Sequence, residues 1–264
     1  MKRRGLLIVF EGLDGAGKGT QLELFRKYLH QQNLQGESSQ IKIFQDNLSQ
    51  VYSTKNQQFD LFSMFLKEES LPYSTYDFPR YYDNFWGGMV GRMLNKEFGD
   101  QIDPYLRSTF YLLDQGNAGK QIRKDLAQGK IVVCNRYITS SYIFQSALIQ
   151  DPEKKKEYVN WLETAGYKHL GIVRPDIVIA LYVDPVKAQE LIAKKAARQY
   201  TNGKAKDLNE ENLELQKNAA KEMLRFCKER REWKLIDCMD GENIRRPEEI
   251  AQLIRDTLQE RLLR

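Results

Sequence analysis

Gly12, Gly15, Gly17, Lys18 and Gly19 crowd four glycines and a lysine into eight positions, a spacing suited to holding phosphate. Glycine lets backbone N–H groups turn inward on an anion, and a lysine can reach the outer phosphates of a nucleotide. The flanking residues fit the same chemistry. Leu6 to Phe10 is an apolar run of strand length, and beyond Gly19 the residues Leu22, Phe25 and Leu29 recur at helical spacing. A helix starting near Lys18 aims its positive dipole end at the same anion. Strand, glycine loop, lysine and helix together make a phosphate-binding P-loop, with Gly12, Asp14, Gly15, Ala16, Gly17, Lys18, Gly19 and Thr20 around the nucleotide. The strict pattern sets Ser or Thr directly after the lysine. Here Gly19 intervenes, which leaves Thr20 as a candidate magnesium ligand.

Two arginines stand where predicted strands end. Thr75 to Phe78 reads as a short strand stopped by Pro79, which has no N–H for a ladder, so Arg80 sits at its C-terminal end. Ligands of open α/β sheets collect at such ends. Lys130 to Cys134 reads as a buried parallel strand and runs straight into Asn135-Arg136. Arg136 either grips a phosphate or bonds strand-end carbonyls. Between Lys187 and Lys206 six basic residues face one acid, Glu190, in a stretch broken by glycine. It is either a solvated face or a lid over phosphates, at about 194–208. Arg198 is its best phosphate ligand, because a planar fork suits phosphate better than an ammonium does.

The elements that must position these groups alternate along the chain. Helices are expected at Lys18–Gln32, Phe85–Asn95, Pro104–Gln128, Ile138–Leu148, Glu153–Tyr167, from Val186 on, Asn209–Arg231 and at the C-terminus. Core positions are expected at Leu106, Phe110, Leu113, Ile122 and Leu126, then at Leu213, Ala220, Met223, Leu224 and Cys227, and finally at Ile250, Leu253, Ile254, Leu258 and Leu262. Strands are expected at Ile177–Val183 and Trp233–Cys238 as well. Such alternation implies a doubly wound parallel sheet of about five strands, helices on both faces, and the P-loop NTPase type of fold. No linker divides residues 1–264, but an insertion at about 36–72 interrupts the pattern. Eight glutamines fall between Gln31 and Gln58 around one strand-like piece, Ile41–Phe44, and Phe59, Phe62, Phe65 and Leu66 follow at helical spacing.

Charged residues make up 29 % of the 264, hydrophobic ones 41 %, and the formal charge is +5. That modest excess suits a small anion as well as nucleic acid, but no nucleic-acid motif accompanies it. Cys134, Cys227 and Cys238 are odd in number and lack metal-like spacing, which reads as reduced thiols. The longest apolar run, Ile177 to Val183, is too short for a bilayer, and the N-terminus lacks a signal peptide's apolar region. A soluble, cytoplasmic protein is expected.

The Gly-Lys-Gly-Thr-Gln variant of the loop resembles that of adenylate kinases and related monophosphate kinases. Over most of its length, the insertion excepted, the chain resembles the thymidylate kinase family. The marks run in order: Phe10-Glu11-Gly12-Leu13-Asp14-Gly15 through Gln21, Phe78-Pro79-Arg80-Tyr81, Phe85-Trp86-Gly87, Asp103-Pro104-Tyr105-Leu106, Tyr111-Leu112-Leu113-Asp114, Ile131 through Asn135-Arg136-Tyr137, and Pro175-Asp176. The resemblance implies transfer of the γ-phosphoryl of ATP to dTMP, with Mg²⁺, by a homodimer whose partners are small nucleotides. It also implies that Lys18, Arg136 and Arg198 are catalytic and that Asp14 faces the substrate sugar. Arg80 and Arg136 would grip the substrate phosphate or the transferring group, and Tyr111 would lie on the thymine ring. Phe78, Gln115, Ser140, Ser141 and Phe144 would complete that pocket. Asn243 to Arg245 would lie near the adenine.

Two positions depart from the family. It usually has Asp-Arg where Asn135-Arg136 stands, and arginine where Gln115 stands, so two formal charges change. Asn135 keeps an acceptor oxygen that can reach magnesium through water. Alternative readings are a kinase for another deoxynucleoside monophosphate, a nucleoside kinase, and a diverged, non-catalytic nucleotide binder. Phosphorylating a free hydroxyl would need a carboxylate base near Asn135, and the sequence offers none there.

Overall fold

A computed structural model describes residues 4–36, 73–99, 101–193 and 212–262. The insertion expected at 36–72, Gly36 apart, lies outside the described residues with its Ile41–Phe44 and Phe59–Leu66 segments. So does the basic stretch 194–208 with Arg198.

Among the described residues five strands form one parallel sheet: β1 (Leu7–Gly12), β2 (Tyr73–Asp77), β3 (Ile131–Asn135), β4 (Ile177–Tyr182) and β5 (Trp233–Asp237), in the order β2-β3-β1-β4-β5. The apolar sequences of the central strands β1, β3 and β4 follow from burial on both faces, whereas the edge strands β2 and β5 are partly exposed and carry polar residues. Alternate residues part company. Leu7, Val9, Val132, Cys134, Val178 and Ala180 join one core, which α3 (Pro104–Ala127), α4 (Ile138–Phe144), α5 (Pro152–Glu163) and α7 (Leu213–Glu229) cover. Ile8, Phe10, Val133, Ile179 and Leu181 join the other, under α1 (Lys18–Gly36), α6 (Pro185–Ala193) and α8 (Pro247–Leu262).

That division creates the crevice. β1 and β3 are neighbours, yet the helix following β1 packs on one face and the helix following β3 on the opposite face. Adjacent strands whose helices depart in opposite directions leave a gap at their C-terminal ends, the switch point of an open α/β sheet. The glycine loop and Asn135-Arg136 both lie there.

The fold corrects several expected core positions. Leu106 is 51 % exposed, whereas Leu112, Ala118, Ile122 and Leu126 form the buried stripe of α3. Leu106 lies about a third of a turn around the helix from Leu112, away from that stripe. Leu253 is also exposed, and the buried face of α7 is Leu215, Ala219, Ala220, Met223 and Phe226, with Leu213 and Leu224 at its margin. The helix expected to reach Tyr167 ends at Glu163, and a wider π-type turn, Thr164–His169, continues it. Cys134 and Cys238 are buried and Cys227 half-buried, and burial pushes all three thiols up.

Candidate active site

The loop after β1 has the backbone its glycines suggest. Gly12, Gly15 and Gly17 have φ of 151°, 83° and 79°, values L side chains rarely adopt. Gly15 is required sterically as well, since a Cβ there would lie 2.2 Å from the Ala188 carbonyl of α6. α1 begins at Lys18 with no acidic residue in its first turn, so its N-terminal dipole is unopposed. The Lys18 ammonium is turned into the loop, where it donates to the Leu13 carbonyl at 2.8 Å and to that of Gly12 at 3.2 Å.

Arg136 follows β3 with φ of 60°, the left-handed region, which a non-glycine residue keeps only when its surroundings hold it. Here they do. Its guanidinium pairs with Asp14, reaches Ser140 Oγ at 3.4 Å and the Gly12 carbonyl at 3.5 Å, and lies 5.2 Å from the centre of the Phe144 ring. Burial alone would depress its pKa; the carboxylates of Asp14 and Glu11, with Tyr81 and Tyr111 adding to them, raise it instead.

Glu11, fully buried at the end of β1, completes this cluster. It accepts from Thr139 Oγ1 at 2.6 Å, from the Tyr137 amide at 3.2 Å, and from Ser140 Oγ at 2.9 and 3.0 Å. Burial pushes its carboxyl up, while Arg136, the Thr139 bond, Lys18 and the Ser140 bond pull it back.

Arg80 is held from another direction. The turn that presents it contains a cis Phe78–Pro79 bond and packs under α2 (Phe85–Leu94), where a Cβ on Gly87 would meet the Arg80 carbonyl at 2.0 Å. Asp114 of α3, 1 % exposed, accepts from Arg80 Nε and from the Arg80 amide, each at 3.0 Å. Arg80 Nη2 donates to the Asp114 carbonyl at 2.7 Å and to Asn117 Oδ1 at 2.8 Å. Asn84, which caps α2, donates to the same carboxylate at 2.8 Å. Among the described residues Nη1 of Arg80 makes no hydrogen bond.

Between the two arginines the ends of β2 and β3 bring Asp77 beside Asn135, whose Nδ2 donates to Asp77 Oδ1 at 2.7 Å. The sequence offered no carboxylate near Asn135. That expectation is overturned: the carboxylate comes from the adjacent strand, which sequence proximity cannot reveal.

A family model described as thymidylate kinase matches residues 53–246. The chain belongs to the thymidylate kinase family. Thymidylate kinase of Mycobacterium tuberculosis (strain H37Rv) is 24 % identical over 212 residues, 80 % of either chain. A probable thymidylate kinase of Thermoplasma volcanium is 33 % identical over 101 residues, 37 % of this chain and 49 % of that one. The fold is similar to solved thymidylate kinases of Candida albicans (TM-score 0.64, 17 % identity, 97 % of this chain and 92 % of that one) and Ehrlichia chaffeensis (TM-score 0.55, 18 % identity, 97 % and 100 %). As a thymidylate kinase the chain is a nucleotide-binding phosphotransferase that acts on dTMP.

The other expected thymidylate kinase residues fall as follows. Tyr111 is within electrostatic reach of Arg136. Gln115 is 2 % exposed, and among the described residues its Oε1 has no hydrogen-bond partner. Ser141 is buried near Tyr158, whose hydroxyl donates to its carbonyl at 3.4 Å. Phe78 belongs to the core between Tyr76 and Tyr137, and its ring lies under the Arg80 guanidinium at 5.6 Å. Gly19 and Thr20 are exposed in the first turn of α1. Asn243–Arg245 falls in a hairpin, β6 (Met239–Asp240) with β7 (Asn243–Ile244), directly before α8. Gln21 of α1 donates to the Pro247 carbonyl at 2.9 Å, which ties the end of that loop to the first turn of α1.

The sequence reading missed Glu11, Asp77, Asp114 and Gln216, whose Nε2 donates to Asp14 Oδ2 at 3.1 Å. Glu11 had a signal: a carboxylate inside an apolar strand must be paired to be buried there.

Proposed function

We propose that this thymidylate kinase passes the γ-phosphoryl of ATP to dTMP in the crevice between β1 and β3. Lys18 and the loop amides hold the donor phosphates, Arg136 bridges donor and acceptor, and Arg80 holds the acceptor phosphate through its spare Nη1. The observation that carries this reading is the junction of the two arms: Arg136 lies 3.5 Å from Gly12 of the loop and is paired to Asp14 within it. Phosphoryl transfer is mainly positioning and neutralisation of charge on the moving group. A phosphate monoester has a second pKa near ~6, so the attacking oxygen is already deprotonated at neutral pH and no general base is needed.

Magnesium fits these donors. Among the described residues Asn135 Oδ1 is a buried acceptor without a partner, and no three His, Cys, Asp or Glu gather into a protein-only cage. Mg²⁺ habitually combines a few protein oxygens with substrate phosphates and retained waters. When bound, it would neutralise charge on the β and γ oxygens. Asn135 would hold it through water, and the exposed Thr20 hydroxyl is the other candidate.

The pyrimidine pocket takes Tyr111, Phe144, Ser140, Ser141 and Gln115, and Arg198 closes from the basic stretch at 194–208. The chain acts as one unit, cytoplasmic and homodimeric. Exposed Tyr82, Phe85 and Leu106 on or beside α2 and α3 support an interface there; light scattering checks the dimer. Among the described residues no helix is long and apolar enough to cross a membrane.

Coupled detection of ADP release across a panel of nucleoside monophosphates tests the reaction. Lys18→Ala is expected to abolish release while leaving the protein folded. Turnover within a few-fold of the parent would remove the loop from the mechanism.

A further inference from the structure

Asp77 and Asn135 are register partners on adjacent parallel strands, joined by the 2.7 Å bond from Asn135 Nδ2 to Asp77 Oδ1. An amide can be turned over without changing its shape, but beside a carboxylate that would set two acceptor oxygens against each other. Nδ2 must therefore face Asp77. The carbonyl end is turned away, and among the described residues the buried Asn135 Oδ1 has no hydrogen-bond partner. Buried acceptors are as a rule hydrogen-bonded, so this one marks a place for a donor that the two strands do not themselves supply. Asp77 has a surplus too: among the described residues its Oδ2 makes no hydrogen bond. Desolvation pushes its carboxyl up, while the Asn135 bond, Arg136 and Lys18 oppose that push, so the carboxylate lies within electrostatic reach of both cations. In the ladder Asn135 stands between Phe10 of β1 and Asp77 of β2, one strand nearer the loop than the carboxylate.

We infer that Asp77 is the positioning carboxylate of the crevice: it orients the Asn135 amide and, with Asn135 Oδ1, forms a split acceptor pair for the hydrated divalent cation that accompanies the nucleotide. This rests on the phosphoryl-transfer reading above. Retained waters of such a cation are donors, and the pair offers them one neutral and one charged acceptor. The charge absent from residue 135 is thus present one strand away.

The test is a titration of Mn²⁺ into the full chain saturated with a non-hydrolysable ATP analogue, with free Mn²⁺ read by electron paramagnetic resonance. Asp77→Asn keeps the side chain's shape and is expected to weaken Mn²⁺ binding by about 10-fold, at the lower end of what outer partners of a metal site contribute. Adding Asn135→Asp to that variant returns a carboxylate to the pair and is expected to recover most of the loss. The analogue's affinity without metal, measured on each protein, is expected not to fall. Mn²⁺ affinity indifferent to Asp77→Asn, a double variant as weak as the single, or an equal loss of metal-free nucleotide affinity overturns the assignment. A parent that fails to bind the analogue at all overturns instead the reading on which it rests.

Discussion

Arg80 and Arg136 each follow a parallel strand and each is held by carboxylates, yet different parts of the molecule hold them. The supports of Arg80 are Asp114, Asn117 and Asn84, on α3 and the cap of α2. Arg136 is supported by Asp14 and Glu11, which belong to the loop and the strand that leads into it. The first clamp can therefore be disturbed without touching the nucleotide loop, and the second cannot. A crevice built this way separates the grip on one phosphate from the alignment of both.

The largest expected effect tests that separation directly. Arg136→Ala should lower kcat by about 10²–10³-fold, the range for removing one preorganised donor from a developing charge. Arg136→Lys should restore only part of it, because the ammonium lacks the fork that bridges two partners. Arg80→Ala should mainly raise KM for dTMP. If steady-state kinetics show the two alanine variants losing kcat equally, both arginines act on the transition state and the contrast collapses.

The carboxylates behind the arginines give a smaller effect. Asp114→Asn and Glu11→Gln should each cost about 2 kcal/mol in urea unfolding, since each weakens a buried hydrogen-bonded charge network. Their kinetics should differ: Asp114→Asn raises KM for dTMP, and Glu11→Gln lowers kcat. The same kinetic constant changing in both would mean that the clamps are coupled through the sheet.

The smallest effect concerns the base. An arginine at position 115 could only donate, which favours a ring carbonyl over an exocyclic amine, whereas a glutamine amide can serve either. Gln115→Arg should sharpen the dTMP to dCMP ratio of kcat/KM by about 10-fold, within the ~1–3 kcal/mol span of a donor left facing a donor. A ratio unmoved by the substitution would put Gln115 outside the pyrimidine pocket.

What the sequence made legible was whatever is encoded locally. The loop glycines, the apolar central strands and the arginines after β2 and β3 are read within a dozen residues, and the parallel arrangement follows from alternation. Asp114 was visible only as part of a motif, because its partner Arg80 lies 34 residues away. Asp77 escaped notice for the same reason: its neighbour across the ladder is 58 residues distant. Leu106 misled because helical spacing fixes which residues share a face but not which face turns inward. The packing of Leu112, Ala118, Ile122 and Leu126 against the sheet decides that.

The depth of the three thiols has a use as a clock. Alkylation requires thiolate, and burial both hides these sulfurs and keeps them protonated, with Cys227 pushed up to about 11 and Cys238 to about 12. A reagent added to the native protein at neutral pH therefore reports opening of the structure more than surface chemistry. Half-buried Cys227 is modified when α7 lifts away, whereas Cys134 waits for β3 to part from β1 and β2. The ratio of the two labelling rates measures how far the helical layer can loosen before the sheet itself comes apart.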